Sequence, residues 1–417
     1  MYCIQNEIDK CAASGGGKVI VPAGEYHSGT IYLRSNVTLH LSEGALICGS
    51  ENLDDYPAPQ DKFSDGAAQE RGRALILAEN ITNSAVEGSG TISGSGKSFP
   101  TDGELFQYRP MLIRFVNSSN IRLEGISLRD PAAWTCHLRG CRNVKITGLN
   151  IFSHANSNND GIDIDSCSDV EVSFCNVDSG DDAVCLKSTL DRPCENICIH
   201  DCKLRSLASA FKIGTETYGN VRQVVFRDNC ILDGEMGAMK IYSADGAEVE
   251  DIAISNIEIK SATNPLFIRL GERGNVYGDF PVKKSGSIKK ITVDGLRGNI
   301  RHHSSPVRAG HLPVEGVPVF SHNCLSIMGL PDNEVESISL KNIVLTLPGG
   351  ADHPGWDETP ERADGYPELG YYGILPAYGI YMRHVKKIDF SGYSSFLSTH
   401  DVRKEIILED VHEVNGI

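Results

Sequence analysis

The sequence predicts an all-β protein, a right-handed single-stranded parallel β-helix (a solenoid), with a short capping helix at its N-terminus. The first observation is a recurring phrase in which an Asx residue precedes alternating apolar residues. The second is the period-two alternation, which is typical of strands with one buried face. The third is the Gly, Asn, Asp and Ser between phrases, which form turns. The phrases begin at Asn36, Asn120, Asn143, Asp169, Asn196 and Asp251.

The spacing of the phrases predicts one coil of the solenoid per repeat. From Asn120 onward the steps are 23, 26 and 27 residues, and a near-match follows at Asn220. A regular step of this length indicates supersecondary units that stack on their neighbours. We therefore predict a single β-helix domain over residues 1–417.

Three segments depart from the repeat. Residues 1–17 predict a helix that covers the first coil, because apolar residues occur there at helical spacing before three glycines end the pattern. Residues 54–72 and 348–376 are predicted loops beside a cleft, and the second could close one end of it. The apolar residues of the helix are Ile4, Ile8, Cys11 and Ala12.

The composition argues against several classes of partner. A net charge of -16 disfavours nucleic acid and anionic membrane surfaces, since both need a basic face. No run reaches the roughly 18 apolar residues of a spanning helix. The N-terminus lacks the features of a secretory signal, so no export is predicted and the compartment stays open. The sequence does not predict an oligomeric state, and we expect no cofactor.

The 13 cysteines are predicted to be buried free thiols, because their number is odd and their spacing shows no paired framework. Cys194, Cys198 and Cys202, with His200 among them, offer a zinc site as the alternative. We predict no metal, since their segment is typical of a strand.

Two acidic clusters stand out, one ending at Asp160 and the other containing Asp181 and Asp182. Asp181 follows Asp160 by 21 residues, which is close to one coil, so the carboxylates should lie on neighbouring strands about 4.8 Å apart. Carboxyls this close cannot all ionise freely, so one is expected to keep its proton. A protonated acid beside a carboxylate is what glycosidic cleavage needs, by activated water or by direct attack.

The alternative for any such acid is a turn residue that bonds its own backbone. We assign Asp163, Asp165, Asp169 and Asp178 to that class. We predict instead that the three clustered aspartates are functional, because adjacent like charges cost stability unless a functional role compensates for it.

Motifs along nearly the whole chain resemble glycoside hydrolase family 28, the polygalacturonases and their relatives. They include GGGKVIVPAGEYHSGTIYLRSNVTLHLSEGALI, WTCHLRGCRNVKI, NSNNDGIDIDSCSDV, DSGDDAVCLKS and PAYGIYMRHV. The resemblance implies that Asn158 opens the family's Asn-Thr-Asp motif. It also implies that Asp181 is the general acid, that Asp160 and Asp182 activate water, and that the reaction inverts the anomeric centre.

Two family motifs that grip the sugar carboxylate are altered. Gly-His-Gly falls on residues 208–210, with Ser209 in place of the histidine, and Arg-Ile-Lys falls on residues 240–242, with Lys240 and Tyr242 at its ends. Lys212, one coil beyond Asp182, could replace the lost grip, because lysine binds carboxylates. Lys187, Arg269 and Arg273 are weaker predictions of the same kind.

Three further residues are predicted near the sugar. Trp134 and His137 precede Asp160 by about one coil and could form a stacking platform, with burial in the core as the alternative. His154 could orient a carboxylate or bind a hydroxyl, with a structural role as the alternative.

The sequence therefore predicts an inverting glycoside hydrolase acting on a pectin-type polysaccharide or oligosaccharide, with exo action. One alternative is a β-helical polysaccharide lyase, and another is a non-catalytic carbohydrate-binding β-helix.

Overall fold

The computed structural model describes residues 3–303, 323–355 and 358–416. Helical structure in these ranges consists of α1 (Ile4–Ala13) and short 3-10 helices at Leu53–Asp55, Gly96–Ser98, Glu104–Tyr108 and Leu369–Tyr372. The strands are β1 (Gly17–Val21), β2 (Gly24–Ser28), β3 (Ile31–Tyr32), β4 (Val37–Leu41), β5 (Ala45–Gly49), β6 (Phe63–Ser64), β7 (Glu70–Arg71), β8 (Ala74–Glu79), β9 (Thr82–Gly88), β10 (Thr91–Ser93), β11 (Met111–Val116), β12 (Ser119–Glu124), β13 (Ser127–Arg129), β14 (Cys136–Arg139), β15 (Arg142–Thr147), β16 (Asn150–Ser153), β17 (Ile162–Asp165), β18 (Ser168–Ser173), β19 (Asn176–Ser179), β20 (Val184–Ser188), β21 (Cys194–His200), β22 (Lys203–Ser206), β23 (Ser209–Thr217), β24 (Val221–Arg227), β25 (Cys230–Gly234), β26 (Gly237–Ser243), β27 (Glu248–Ala262), β28 (Phe267–Leu270), β29 (Ser287–Ile300), β30 (Leu325–Met328), β31 (Ile338–Leu347), β32 (Ala377–Leu397) and β33 (Lys404–Asn415).

The chain groups into two compact units. Unit 1 contains residues 1–186 and 193–206, and unit 2 contains residues 187–192 and 207–417. The single domain expected from the repeat stays a prediction, and each unit is described by itself below.

In unit 1 each strand of the central coils pairs in parallel with the strand three places further along the chain. β11 pairs with β14, β12 with β15 and β13 with β16. Three strands therefore make one coil, and successive coils stack by backbone hydrogen bonds. This is the pairing pattern of a parallel β-helix, so the predicted fold class is confirmed. The hairpin of β6 and β7 is antiparallel and falls within the predicted loop 54–72.

The core of unit 1 is a set of stacked apolar columns. Every second residue of β4 is fully buried, as the alternation predicts. The strand register places equivalent residues above one another, and each buried aliphatic side chain contributes roughly 1.5–3 kcal/mol to the free energy of folding. One column contains Val19, Leu39, Val86, Leu123, Ile146, Val172 and Ile199.

The Asx residues that open the phrases turn the chain at the coil corners. Asn120, Asn143 and Asp169 all have positive φ, a left-handed conformation that Asn and Asp tolerate better than most residues. Register pairs Arg142 with Ser168 and Val144 with Val170, which places Asn143 beside Asp169. The side chains also bond from coil to coil, since Asn143 Nδ2 donates to Asn120 Oδ1 at 2.7 Å. The predicted spacing is therefore confirmed.

Unit 2 is built from longer parallel strands. β27 pairs with β29, β29 with β31, and β32 with both β31 and β33. The predicted loop 348–376, of which residues 356 and 357 lie outside the described ranges, contributes apolar side chains to a core cluster of this unit. The cluster contains Tyr242, Phe267, Cys324, Met328, Leu369, Tyr372, Leu375, Ala377 and Tyr381.

The predicted N-terminal helix is present as α1. It buries Ile4 and Ile8, while Cys11 and Ala12 are only half-buried. The three glycines after it have positive φ and end the helix. No helix in the described ranges has both the length and the apolar character needed to cross a membrane.

The cysteines of the described chain are free thiols, as predicted, but the predicted burial is wrong for Cys3, which is exposed, and for four that are half-buried, namely Cys11, Cys48, Cys198 and Cys230. Several are stacked on neighbouring coils, where they pack as small apolar residues. The Cys167 thiol lies 3.2 Å from the Cys141 amide nitrogen, which donates to it. Cys194, Cys198 and Cys202 belong to no group of three metal-binding side chains among the described residues.

Candidate active site

The structure brings Asp160, Asp181 and Asp182 together in unit 1. One carboxylate oxygen of each lies within 4.8 Å of the others. Asp160 follows β16 and the other two follow β19, and these strands pair with Ser153 opposite Ser179. The loops after the two strands therefore lie next to one another, because the chain completes one coil between them. Asp160 and Asp182 are buried, and Asp181 is half-buried.

A ladder of buried serines supports the loops that carry these acids. Ser153, Ser179 and Ser206 occupy equivalent positions on β16, β19 and β22. The hydroxyl of Ser153 donates to the Asn159 carbonyl at 2.7 Å. The hydroxyls of Ser179 and Ser206 both donate to the Asp181 carbonyl, at 2.5 and 2.7 Å. The ladder therefore fixes the backbone beside two of the three carboxylates.

Two glycines let the acidic loops approach one another. A Cβ on Gly161 would lie 2.4 Å from the Ala183 carbonyl oxygen, and one on Gly180 would lie 2.4 Å from Asn159 Oδ1. The Gly161 amide also donates to the Asp182 carbonyl at 2.8 Å. Both glycines, like the serines, were missed by the sequence analysis. A small residue beside each acid was the signal that could have found them.

Asn158 is held by two buried arginines. Its Oδ1 accepts from Arg109 Nη2 at 3.0 Å and from Arg71 Nη2 at 3.3 Å. Arg71 is also paired with Asp65 at 2.8 Å. Burial, with the charge of Arg71 added, lowers the pKa of Arg109 to about 9, which leaves its guanidinium protonated at neutral pH. No sequence motif indicates these cations, because they lie 49 and 87 residues from Asn158.

Trp134 and His137 lie inside unit 1. Trp134 is 3% exposed and His137 is fully buried. Their ring centroids are 5.0 Å apart, and Phe63 packs against both. Burial lowers the pKa of His137 to about 4, although attraction to the Asp165 carboxylate, 3.6 Å away, opposes the shift. This placement matches the core alternative, because neither ring has a face open to solvent.

Two of the aspartates assigned to corners lie elsewhere. Asp163 and Asp165 are inside β17 and are fully buried, so the corner assignment is wrong for them. Every residue of β17 is buried, because both faces of this strand are covered. Register places Asp163 beside His137 and Asp165 beside Arg139, so each acid adjoins a basic side chain.

The other two corner assignments differ from each other. Asp169 is at a corner with positive φ, and its Oδ1 accepts from Asn196 at 2.5 Å. Asp178 lies within β19 and has Oδ1 2.7 Å from His154 Nε2, so its assignment to a corner is wrong. His154 is therefore engaged with Asp178, an acid outside the clustered trio.

In unit 2 the predicted lysines lie in register. Lys212 on β23 pairs with Lys240 on β26, and both are buried. Lys240 Nζ is 2.5 Å from Glu368 Oε1. Ser209 opens β23 and is fully buried. Tyr242 is also fully buried, and its ring meets Phe267 edge-on in the core cluster named above.

The remaining predicted cations of unit 2 make structural contacts. Arg269 is 2% exposed, and its Nη1 donates to the Gly329 carbonyl at 2.7 Å. Arg273 pairs with Asp245 through two bonds, of 2.8 and 2.6 Å. Burial alone would lower the pKa of Arg273, but the hydrogen bond to Asp245, together with the negative charge of Asp245 and its neighbours, outweighs burial and raises that pKa. Lys187 Nζ is 3.2 Å from Glu216 Oε2.

Three groups of side chains in the described ranges have the spacing of metal ligands. One is the aspartate trio, whose oxygens would suit a hard cation. The other two are mixed groups on the surface. They are Glu25 with His27 and Cys48, and Glu334 with Asp410 and His412.

Comparison with known proteins places the chain in a family. Residues 11–308 match the model described as glycosyl hydrolases family 28. A probable polygalacturonase of Vitis vinifera is 30% identical over 274 residues, which cover 61% of this chain and 56% of that protein. The exo-poly-alpha-D-galacturonosidase of Dickeya chrysanthemi is 25% identical over 418 residues, covering 82% of this chain and 68% of the relative. The chain therefore belongs to glycosyl hydrolases family 28, and it spans little more than half of the Vitis vinifera protein.

Solved structures show the same fold. The family 28 exopolygalacturonase of Yersinia enterocolitica has a TM-score of 0.70 at 18% identity, covering 99% of this chain and 74% of that one. The exopolygalacturonase of Thermotoga maritima has a TM-score of 0.66 at 21% identity, covering 94% and 88%. This likeness shows the right-handed parallel β-helix.

Proposed function

We propose that the chain hydrolyses glycosidic bonds in pectin-type glycans. The observation that carries the proposal is the meeting of Asp160, Asp181 and Asp182 within 4.8 Å of one another. Asp181 is the half-buried member and is proposed as the general acid, which protonates the leaving oxygen. Asp160 and Asp182 then act as carboxylates that activate water.

The proposed substrate is a galacturonide. A probable polygalacturonase of Vitis vinifera and an endo-polygalacturonase of Pectobacterium carotovorum subsp. carotovorum are among the relatives of the chain. In unit 2, Lys212 on β23 is the proposed cation for the carboxylate of a uronic acid, whereas the charge of Lys240 is already matched by Glu368. The test is Lys212→Met, which should raise KM for a galacturonide about tenfold with a smaller effect on kcat. An unchanged KM would remove Lys212 from the proposal.

Exo action is proposed because the relatives include the Dickeya chrysanthemi exo-acting enzyme. The measurement is the product pattern from homogalacturonan, rhamnogalacturonan and neutral pectic side chains. Exo action releases short products of one size from the start, whereas endo action gives a spread of oligomers. Products from neutral chains alone would contradict the uronide substrate.

Inversion of the anomeric centre is proposed from the family resemblance. The oxygens of the trio come within 4.8 Å, whereas inverting pairs of carboxyl groups are typically about 6.5–9.5 Å apart. The spacing of the carboxylates therefore does not favour inversion, and the anomeric form of the first product tests it. Proton NMR of the first product should show the anomer opposite to that of the substrate. Retention would instead indicate a covalent intermediate.

The two alternative classes, a polysaccharide lyase and a non-catalytic binding protein, give different results when the chain is incubated with the same glycans. A lyase leaves an unsaturated sugar that absorbs in the ultraviolet, and its appearance would overturn hydrolysis. A binding protein retains the glycan without turnover. The proposed hydrolase gives one new reducing end per cleavage and no ultraviolet chromophore.

A further inference from the structure

Three side chains on the outer face of unit 1 form a mixed donor group. Glu25 and His27 are two residues apart on β2, so they project from the same face of the strand. β2 pairs in parallel with β5, and the register places His27 opposite Cys48. A carboxylate, an imidazole and a thiol therefore converge because of strand geometry. These residues are remote in sequence from the aspartate trio.

The distances within this group suit a tetrahedral ion after a small adjustment. His27 Nε2 is 2.7 Å from Glu25 Oε1, and Cys48 Sγ is 3.9 Å from the same oxygen. Around a zinc ion with bonds of about 2.0–2.3 Å, neighbouring ligand atoms lie roughly 3.3–3.8 Å apart. The side chains of His27 and Glu25 are 71% and 59% exposed, so they can move by that amount and an ion can reach them.

The donor types select the class of ion. Thiolate and imidazole are ligands of zinc and related transition metals, whereas calcium and magnesium prefer oxygen alone. We propose that Glu25, His27 and Cys48 bind one divalent ion of the zinc class, with water in the fourth position. The site is independent of the proposed hydrolase function.

The strand pairing indicates what the ion would do. Within the described residues β2 pairs with no strand other than β5, so it is an edge strand. Two ligands come from this edge strand and one from its neighbour. An ion bound to the native state alone stabilises that state by mass action. The ion would therefore hold the edge strand in place and shield the Cys48 thiol.

Cobalt provides the test, because Co²⁺ bound to a thiolate in a tetrahedral site has a charge-transfer band in the near ultraviolet. The full chain is stripped with chelator, reduced, and titrated with Co²⁺ while the spectrum is recorded. We expect one equivalent to produce the band, and zinc to displace it. Bound zinc should also slow alkylation of Cys48 at least about tenfold, since the metal ligand is no longer a free nucleophile.

The chain offers a matched control in Cys230. Its Sγ also lies 3.9 Å from a glutamate oxygen, that of Glu258, but it belongs to no group of three metal-binding side chains in the described part of the chain. Cys48→Ser and His27→Gln should abolish the band, and Cys230→Ser should keep it. All three substitutions are at exposed or half-buried positions, and circular dichroism verifies the fold.

Two results would overturn the site. One is a wild-type chain that shows no band with several equivalents of Co²⁺. The other is a band that survives in Cys48→Ser at full intensity, which would assign the metal to other thiols.

Discussion

Both compact units contain buried ion pairs, Arg71 with Asp65 in unit 1 among them, but unit 1 also brings like charges together. Unit 1 gathers three carboxylates within 4.8 Å of one another at the ends of stacked strands. Unit 2 instead matches the predicted cations Lys187, Lys240 and Arg273 with Glu216, Glu368 and Asp245 respectively.

This difference distinguishes charges that serve folding from charges that serve a functional site. An ion pair in the interior offsets the cost of desolvating its members, so a matched charge is explained by folding alone. Folding alone does not explain why three carboxylates of like charge lie close together, so the aspartate trio indicates a functional site. Substitutions in both units test this contrast.

The largest effect is expected for Asp181→Asn. An amide cannot deliver the proton, so kcat should fall about 10³-fold, while binding of the glycan is largely retained. The assay is release of reducing ends. Asp178→Asn is the matched control, since this acid lies on β19, the strand just before Asp181, but pairs with His154 outside the trio. Equal losses in both variants would contradict the assignment of Asp181.

The second effect concerns the buried pair of unit 2. Lys240→Met leaves Glu368 buried without its cation, so the free energy of unfolding should fall by about 3 kcal/mol. Denaturant unfolding measures it. The double variant Lys240→Met with Glu368→Leu should regain much of the loss, because both charges are gone. If the double variant is as unstable as the single one, the pair is not what stabilises this region.

The third effect tests the close approach of the acidic loops. Gly161→Ala places a methyl group 2.4 Å from the Ala183 carbonyl oxygen, so stability should fall by about 1–3 kcal/mol and activity should fall with it. Gly271→Ala is the control, because its nearest contact is 3.2 Å. Melting temperature and turnover are measured together. A fully active, stable Gly161→Ala would show that the loops need not pack this tightly.

The smallest effect is expected for Ser206→Ala, which removes the hydrogen bond to the Asp181 carbonyl. The loss should be about 1 kcal/mol of stability. The control is Ser243→Ala, which removes a similar buried bond to a carbonyl in unit 2. Both variants should lose stability, but only Ser206→Ala should lower kcat by a few-fold. Equal turnover in the two variants would show that the serine ladder does not position the acid.

Local sequence patterns were enough to predict the coils and the meeting of the acids. Both follow from local rules, since alternation marks the strands and a separation of 21 residues brings Asp160 and Asp181 to neighbouring coils. The N-terminal helix was predictable from its helical spacing of apolar residues, and the free thiols from the odd number and unpaired spacing of the cysteines.

The burial of polar residues and the identity of their partners depend on contacts that are made only in the tertiary structure. Glu368 reaches Lys240 across 128 residues, and Arg71 reaches Asn158 across 87. Asp163 and Asp165 are buried although they alternate with Ile162 and Ile164, so both faces of β17 are covered, which the alternation of one strand cannot reveal. Periodicity fixes which way a side chain points, but what covers it depends on contacts between segments distant in sequence.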